Sequence, residues 1–302
     1  AVWHILTGNE VEKASWSFIV WESRLPQAIT ALLCGMALAA SGLMLQTTFN
    51  NPLADPSILG ISSGASLGVA LVMLAGAGTI TAGVFTLSGF LSVIIGAFIG
   101  SMLVMGIILF FSTLIKNSIM LLIIGIMIGY ITSSAISLLN FFSTAEGVHS
   151  YMIWGMGNFG GVSLQQLPFF SLVTAAGLLI TILLIKPLNA LLLGTRYAEN
   201  LGINIRRTRN LLLVATGLLT ATTTAFCGPI GFIGLAVPHV ARILFADADH
   251  RILVPASIRT GIVVMLLCDV LAKLLTFPIN TITALLGIPI VIWVVIRNKS
   301  IV

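Results

Sequence analysis

Nine apolar stretches constrain this chain more than any other feature, because each is a candidate for crossing a membrane as a helix. A helix needs about 20 mostly apolar residues to cross the hydrocarbon core of a bilayer. The nine stretches are Leu25–Thr48, Gly60–Ala77, Gly83–Leu114, Ile119–Phe142, Leu164–Ile185, Leu211–Cys227, Ile230–Phe245, Ile258–Thr276 and Ile279–Ile296. The seventh is short and carries Pro238, so we expect that span to be broken or partly re-entrant. The sequence therefore predicts an all-α integral membrane protein, a polytopic helical bundle in which residues 1–302 form one domain.

The scarcity of charge excludes most other classes of protein. Charged side chains make up 8% of the 302 residues and hydrophobic ones 58%, whereas a soluble domain is roughly one quarter charged. Disordered, collagen-like, disulfide-scaffold and nucleic-acid-binding proteins are therefore excluded. The three cysteines lie inside apolar runs without metal-ligand spacing, so we expect them to be packing residues and predict no metal site.

The distribution of cations predicts the orientation of the chain. With the C-terminus in the cytoplasm, eleven lysines and arginines fall inside and three outside, as the positive-inside rule requires. The inner cations are Lys116, Lys186, Arg196, Arg206, Arg207, Arg209, Arg242, Arg251, Arg259, Arg297 and Lys299, and the outer ones are Lys13, Arg24 and Lys273. Ala1 then lies outside, and residues 1–23 form an outer loop. Since these residues contain no secretory signal, we expect a further span before them and ten in the complete protein.

The segment Gln46–Gly64 is too polar to serve only as an anchor. It contains Asn51-Pro52 and Asp55-Pro56, and a residue before proline avoids the helical region, so the preceding helix ends here. One interpretation is a turn between helices. The other is a gate or vestibule at the cytoplasmic end of the first span.

Two further polar segments lie in the second half of the chain. Lys186–Asn210 has helical spacing up to Gly202, which predicts a helix–breaker–helix element that docks on a partner, unless it is a solvated basic loop. Cys227–Arg251 carries glycines at three-residue intervals that permit close backbone packing, and two prolines that interrupt helices. The residues of this motif are Gly228, Pro229, Gly231, Gly234, Pro238 and His239. A lone histidine without metal-ligand neighbours is expected to be a hydrogen-bonded structural group.

Two alternative functions, a secondary transporter and an intramembrane hydrolase, follow from single residues. Asp269 could couple an ion in a stand-alone secondary transporter, although Lys273 four residues later predicts a structural pair along the helix. Gly60–Gly64 matches G-x-S-x-G, which would make Ser62 with His239 an intramembrane serine hydrolase. It follows a proline-bounded loop rather than a strand. The chain has no G-x-x-x-x-G-K-[ST] phosphate loop, so it does not hydrolyse ATP by that route.

A series of short motifs resembles the permease subunits of ABC importers for iron–siderophore complexes, haem and vitamin B12. The blocks follow the family's order from end to end: Arg24–Pro26, Gly42–Gln46, Asn51–Pro56, Leu59–Ala65, Leu201–Ile203, Gly228–Leu235, Val237–Arg242, Asp249–Arg251 and Leu286–Pro289. The resemblance implies a type II importer in the bacterial inner membrane. Such an importer is a homodimer of ten-helix subunits with two ATPase subunits beneath it and a substrate-binding protein outside. No cofactor is expected on this chain, since ATP and Mg²⁺ belong to the partner.

The resemblance also implies roles for individual residues. Contact with the ATPases falls on Thr195, Arg196, Ala198, Glu199, Gly202 and Ile203. The cytoplasmic gate maps to Gln46, Asn51, Leu53, Asn117 and Ser118. Docking of the binding protein falls on Arg24 and Lys273, where departures at Gln27, Lys273 and Phe277 predict a weaker or differently arranged contact. The sequence therefore predicts a permease subunit that moves an iron chelate or cobalamin and leaves ATP hydrolysis to another chain.

Overall fold

The protein is a helical bundle with one short β-hairpin. The computed structural model describes residues 4–5, 14–76, 78–82, 85–115 and 117–298. The α-helices are α1 (Ala14–Ile19), α2 (Leu25–Thr48), α3 (Ile61–Ala70), α4 (Phe90–Leu114), α5 (Ser118–Phe142), α6 (Ala145–Gly155), α7 (Leu167–Leu183), α8 (Ile185–Leu192), α9 (Thr195–Asn200), α10 (Ile205–Cys227), α11 (Ile233–Phe245), α12 (His250–Leu275) and α13 (Ile279–Asn298). Strands β1 (Thr79–Ala82) and β2 (Phe85–Ser88) pair antiparallel. Single π- or 3₁₀-helical turns cover Val20–Arg24, Pro56–Leu59 and Leu71–Ala75.

The predicted polytopic bundle is confirmed. Within the described residues, four helices are long and apolar enough to cross a membrane, and α7 with α8 makes a fifth as a pair bent by 51°. The four are Ser15–Thr48, Phe90–Leu114, Ile119–Phe142 and Ile205–Cys227. Shorter apolar helices cover Ile61–Ala75, Ile233–Phe245 and Ile279–Val294. Each of the nine predicted stretches overlaps one of the helices named above.

Three predicted boundaries are wrong. The stretch Gly83–Leu114 is not helical throughout, because β2 occupies its start and α4 begins only at Phe90. The predicted outer loop 1–23 is helical from Ala14 and runs directly into α2, while residues 1–3 and 6–13 of that loop lie outside the described residues. The stretch Ile258–Thr276 begins too late, since α12 starts at His250 and its 26 residues span about 39 Å.

The helix around Pro238 is short, as predicted, but the predicted break is absent. Proline has no N–H to donate to the carbonyl four residues earlier, which is that of Gly234. The side chain of Gln46 compensates, because its Nε2 donates to the carbonyls of Leu235 at 3.1 Å and Gly234 at 3.5 Å. Helix α11 therefore stays continuous from Ile233 to Phe245.

Helix α2 forms the centre of the bundle and packs against α10, α11 and α12. Two of these contacts join glycines. A Cβ atom on Gly42 would lie 1.8 Å from the carbonyl oxygen of Gly234, and one on Gly35 would lie 2.3 Å from that of Gly261. The absence of side chains at these glycines lets α2 approach its neighbours at backbone distance.

All three cysteines are buried and unbridged, as predicted.

The two ends of the bundle differ in charge. One end holds α8, α9, the C-terminal end of α2 and the N-terminal ends of α10 and α12, and we call it the basic end. Its exposed cations are Lys186, Arg196, Arg206, Arg207 and Arg251. The opposite end holds the start of α2, helix α6 and the end of α12 with Lys273. Lys116 and Lys299, also predicted on the cytoplasmic side, lie outside the described residues.

Candidate functional site

The segment predicted as a helix–breaker–helix element forms the short helices α8 and α9 at the basic end, which we call the coupling hairpin (residues 185–203). Gly194 separates the two helices with a φ of +98°. Gly202 ends α9 with a φ of +82°, and its N–H donates to Glu199 while that of Ile203 donates to the carbonyl of Ala198. This is the Schellman arrangement, in which a residue of left-handed conformation closes a helix. The break therefore falls at Gly194, inside the region that was predicted as helical from Ala190 to Gly202.

The coupling hairpin has one buried face and one exposed face. Leu188, Leu191 and Ala198 are buried in a cluster with Met44 of α2 and Leu212 of α10. Thr195, Arg196, Glu199 and Gly202 are exposed. Four large apolar side chains are exposed beside them: Leu192, Leu193, Tyr197 and Leu201. A short helical element that is anchored beneath and carries apolar and charged side chains outside is suited to contact with another protein.

The turn after α2, which we call the gate turn (residues 49–55), contains two of the predicted gate residues. Asn51 is half-buried, and its Oδ1 accepts the N–H of Leu53 at 2.9 Å. Leu53 is 40% exposed. His239 of α11 holds this turn, since its Nε2 lies 2.8 Å from the carbonyl of Pro52. The prediction that His239 is a hydrogen-bonded structural group is thereby confirmed.

The other predicted gate segment lies at the start of α5. The side chain of Asn117 is exposed and its Oδ1 accepts the N–H of Ile119 at 2.9 Å. It thus acts as the N-cap of α5. The backbone of Ser118 begins the helix, and its side chain lies outside the described part of the chain. Asn51 and Asn117 therefore each order the turn in which they lie.

Gln46 is buried and links α2 to α11 in both directions. Its Oε1 accepts from Nη1 of Arg242 at 2.7 Å, while its Nε2 donates to the carbonyls of Leu235 and Gly234, of which Pro238 leaves that of Gly234 without its helical partner. Arg242 also lines a cavity of about 420 Å³ that reaches α13 at Trp293 and the gate turn at Pro52. The gate residue Gln46 is therefore a tie between helices rather than a freely moving side chain.

The two cations predicted to dock the binding protein lie at the opposite end in different surroundings. Arg24 is exposed and ends the π-helical turn before α2. Lys273 pairs with Asp269 at 2.5 Å, and the carboxylate is 5% exposed. The predicted structural pair is confirmed, so the charge of Lys273 is balanced within its own helix. Asp269 and Lys273, together with Gln27 and Phe277, line a cavity of about 300 Å³. Arg24 is not among the residues that line it.

The glycines of the predicted close-packing motif do not act alike. A Cβ on Gly228 would lie 2.5 Å from the carbonyl oxygen of Trp154, and one on Gly234 would lie 2.8 Å from Oδ1 of Asp55. Around Gly231 the nearest atom is Oδ1 of Asn280 at 3.9 Å. Gly231 belongs to the loop between α10 and α11, where its N–H donates to Asn280. The motif is therefore a turn with two close contacts rather than one continuous glycine face.

The pair of residues considered for a serine hydrolase is engaged elsewhere. The hydroxyl of Ser62 lies 3.3 Å from that of Thr224, and the ring of His239 is bonded to Pro52. A nucleophilic serine needs its base within hydrogen-bond reach. Ser62 and His239 are therefore two unrelated structural groups.

Arg209 has a structural role that the cation count alone did not reveal. The residue is 8% exposed, and its guanidinium donates to the carbonyls of Ser112 and Ile115, the latter at 2.8 Å. These carbonyls belong to the C-terminal end of α4, where the last backbone acceptors of a helix lack partners. Arginine near a helix end is the available signal, but the sequence does not tell which helix it reaches.

Three comparisons with known proteins agree with this geometry. Residues 1–297 match the FecCD transport family. The vitamin B12 import system permease protein BtuC of Klebsiella pneumoniae subsp. pneumoniae is 37% identical over 291 residues, which cover 95% of this chain and 85% of that protein. BtuC of Salmonella typhimurium is 37% identical over 290 residues, covering 94% and 86%.

Solved structures show the same architecture. An inward-facing conformation of a metal-chelate type ABC transporter superimposes with a TM-score of 0.84 at 31% identity, covering 96% of this chain and 90% of that one. PsaBC from Streptococcus pneumoniae, solved with a Fab, superimposes with a TM-score of 0.55 at 18% identity and 89% coverage of both chains, which supports the fold alone. The chain therefore belongs to the FecCD transport family and is a membrane permease subunit of an ABC importer rather than an enzyme.

Proposed function

We propose that this permease subunit carries an iron chelate, either a ferric siderophore or haem, or cobalamin from a substrate-binding protein to the cytoplasm. The observation that carries the proposal is the similarity to vitamin B12 import permeases along 95% of the chain. The structural likeness to a metal-chelate type transporter supports the same class of cargo. Both kinds of cargo are large complexes, for which a wide and weakly binding path is suited.

The coupling hairpin is the proposed contact with the ATPase subunits. It combines an anchored face with the exposed side chains of Tyr197 and Leu201. Apolar side chains at the core of an interface and charged ones at its rim are typical of protein–protein contacts. Arg196 and Glu199, both exposed, supply the charges. Hydrolysis of ATP on the partner would move this hairpin, and this chain contributes no chemistry of its own.

The proposed orientation has the basic end in the cytoplasm and Ala1 outside. The exposed cations of the basic end support this orientation, because lysines and arginines are retained on the cytoplasmic side. The opposite end then faces the binding protein and carries the exposed cation Arg24. A second copy of the chain would pair along the bundle. Helix α5 offers surface for it, since only 22% of the residues in its most apolar segment are buried within the single chain.

A secondary transporter is disfavoured by the surroundings of Asp269. An ion-coupling carboxylate must exchange its partner during transport, whereas Asp269 is held by Lys273 at 2.5 Å near the end of α12. The proposed mechanism is a passive gated conduit. Its path opens alternately to the two sides as the hairpin moves the helices above it.

Reconstitution into liposomes tests the proposal directly. The chain is inserted alone, or together with its ATPase and its binding protein, and uptake of cyanocobalamin, a ferric hydroxamate siderophore and haem is measured. We expect uphill uptake of one cargo only in the complete assembly and only with ATP. Accumulation against a gradient by the chain alone would overturn the proposal.

Gly202→Val tests the coupling hairpin separately from the rest. A β-branched residue is strained at a φ of +82° by about 1–2 kcal/mol, so α9 should lose its end while the bundle stays folded. ATP-driven transport is expected to fall at least tenfold. Gly202→Asn is the matched control, since asparagine tolerates this conformation, and it should transport nearly normally.

A further inference from the structure

The imidazole of His250 joins three helices at the basic end. The side chain is fully buried at the first position of α12. Its Nδ1 lies 2.8 Å from Oδ1 of Asn189 on α8, and its Nε2 lies 2.8 Å from Oγ1 of Thr47 on α2. One ring therefore connects the coupling hairpin to the end of the central helix.

The donors and acceptors along this connection follow from the amide of Asn189. Its Nδ2 donates to Oδ1 of Asp249 at 2.6 Å, and its Oδ1 accepts the backbone N–H of His250 at 2.8 Å. An amide oxygen only accepts, so Nδ1 of His250 carries the proton. In the neutral ring Nε2 is then an acceptor for the single hydroxyl proton of Thr47. That proton also has the carbonyl of Leu43 within reach at 3.1 Å, and the shorter distance of 2.8 Å favours the ring nitrogen. Each of these side-chain atoms thereby has a partner of the right kind.

Asp249 fixes the amide in this orientation. It is the N-cap of α12, and its Oδ1 accepts the N–H of Arg251 at 2.8 Å as well as the amide of Asn189. Hydrogen bonding from the N–H of Arg251, and then from Asn189, holds the pKa of Asp249 below its usual range. The carboxyl is therefore ionised at neutral pH and acts only as an acceptor toward Asn189.

We propose that the chain Asn189–His250–Thr47, which we call the histidine bridge, conveys the movement of the coupling hairpin to the gate turn. The inference rests on the proposed function, in which the hairpin contacts the ATPase and the gate turn opens. Thr47 is the last but one residue of α2, directly before the gate turn. Apolar contacts such as that between Leu188 and Met44 resist separation but are not directional. The hydrogen bonds of His250 fix the position of α8 relative to the end of α2, because breaking one of them leaves buried polar groups without partners.

Two near-isosteric substitutions divide the bridge into its halves. His250→Asn places an amide where Nδ1 was, so the bond to Asn189 can form while Thr47 is out of reach. His250→Gln reaches the place of Nε2 and Thr47 but loses the ring nitrogen beside Asn189. Ser41→Ala is the matched control, because the hydroxyl of Ser41 is also buried on α2 but bonds only to its own helix, at Ala37.

The readout is the rate of maleimide labelling at two single cysteines, with and without ATP and Mg²⁺, in the assembled permease and ATPase. Asn200→Cys reports the hairpin and Leu53→Cys reports the gate turn, and both positions are exposed. The native cysteines are buried, so the introduced one dominates the signal. We expect both His250 variants to keep the change in labelling rate that nucleotide causes at position 200. At position 53 we expect that change to be at least fivefold smaller.

Three results would overturn the bridge. A normal response at position 53 in either His250 variant would mean that a continuous connection is not needed. Loss of the response at both positions would mean that His250 only folds the hairpin. An equal loss in Ser41→Ala would make the effect a general one of buried hydroxyls on α2. The proposed function fails separately if position 200 shows no nucleotide response in the otherwise unaltered chain.

Discussion

The two ends of the bundle are held together in different ways. At the basic end, side chains bond across helices, as Gln46 does with Arg242 and His250 with Asn189 and Thr47. At the opposite end the ion pair of Lys273 stays within α12. Contacts between elements there include bonds that use the backbone on at least one side: the N–H of Asn158 donates to the carbonyl of Cys227 at 2.9 Å and that of Asn280 to Met156 at 3.1 Å, while side chains bond to backbone groups in the contacts of Asn280 with Gly231 and Ser143 with Leu74. Directional side-chain bonds are thus concentrated at the end where, in the proposed mechanism, force is applied.

The largest effect is expected where α2 and α11 touch at glycines, which carry no side chain. Gly42→Leu puts a side chain into the space of the Gly234 carbonyl and should destabilise the protein by more than about 4 kcal/mol. The yield of folded protein in detergent is the measurement. Gly106→Leu on α4 is the control, because nothing lies within 4 Å of its Cβ position. Equal yields of the two variants would show that this contact does not limit stability.

A smaller loss is expected when the ion pair at the opposite end is broken. Lys273→Met leaves the carboxylate of Asp269, 5% exposed, without its cation and should lower stability by about 3 kcal/mol. Thermal unfolding in detergent measures the change. The double variant with Asp269→Asn removes the unpaired charge and should recover most of the loss. Failure of the second substitution to compensate would contradict a structural role for the pair.

At the basic end, removing a single tie should cost less than this. Gln46→Leu leaves the guanidinium of Arg242 and the carbonyl of Leu235 without their partner, and we expect a loss of about 2 kcal/mol. The same unfolding measurement applies, with Thr48→Ser as the control, because that hydroxyl bonds only within α2 at Met44. Unchanged stability of Gln46→Leu would mean that neighbouring bonds at this end substitute for one another.

The smallest change in stability is expected at Arg24, which is exposed. Arg24→Glu should alter the free energy of unfolding by less than about 0.5 kcal/mol yet weaken binding of the substrate-binding protein several-fold. The weakening should diminish at high salt, since exposed charges are screened. Arg206→Glu at the basic end is the matched control and should bind normally. An unchanged affinity of Arg24→Glu at low salt would remove Arg24 from the docking surface.

Much of the fold could be predicted because the membrane requires it. Each predicted apolar stretch overlaps a helix, since a spanning segment must satisfy its backbone bonds internally. The boundaries were less predictable. Apolar composition does not distinguish β2 from the start of α4, and Ala14–Ile19 looked like a loop because Glu22 and Arg24 follow it. Helix α6 was not predicted either, because the segment from Glu146 to Ser163 is rich in glycine.

The site was predicted less completely than the fold. The coupling hairpin and the pair of Asp269 with Lys273 depend on neighbours in the chain, so their spacing indicates them. The partners of Gln46 lie about 190 residues away in sequence, and those of His250 lie on two other helices. Asp249–Arg251 stood out as a motif, but nothing local indicates which helices its histidine joins.

The glycine contacts of α2 have a kinetic consequence. Where Gly35 faces Gly261 and Gly42 faces Gly234, the main chains of the helices come into direct contact. Packed helices slide past one another by small shear displacements, and here such a slip requires no change of rotamer at the points of closest approach. At these two contacts, sliding of α2 against α11 and α12 is therefore not limited by side-chain rotamers, and the rate of such a movement is set by the bonds at the ends of the bundle.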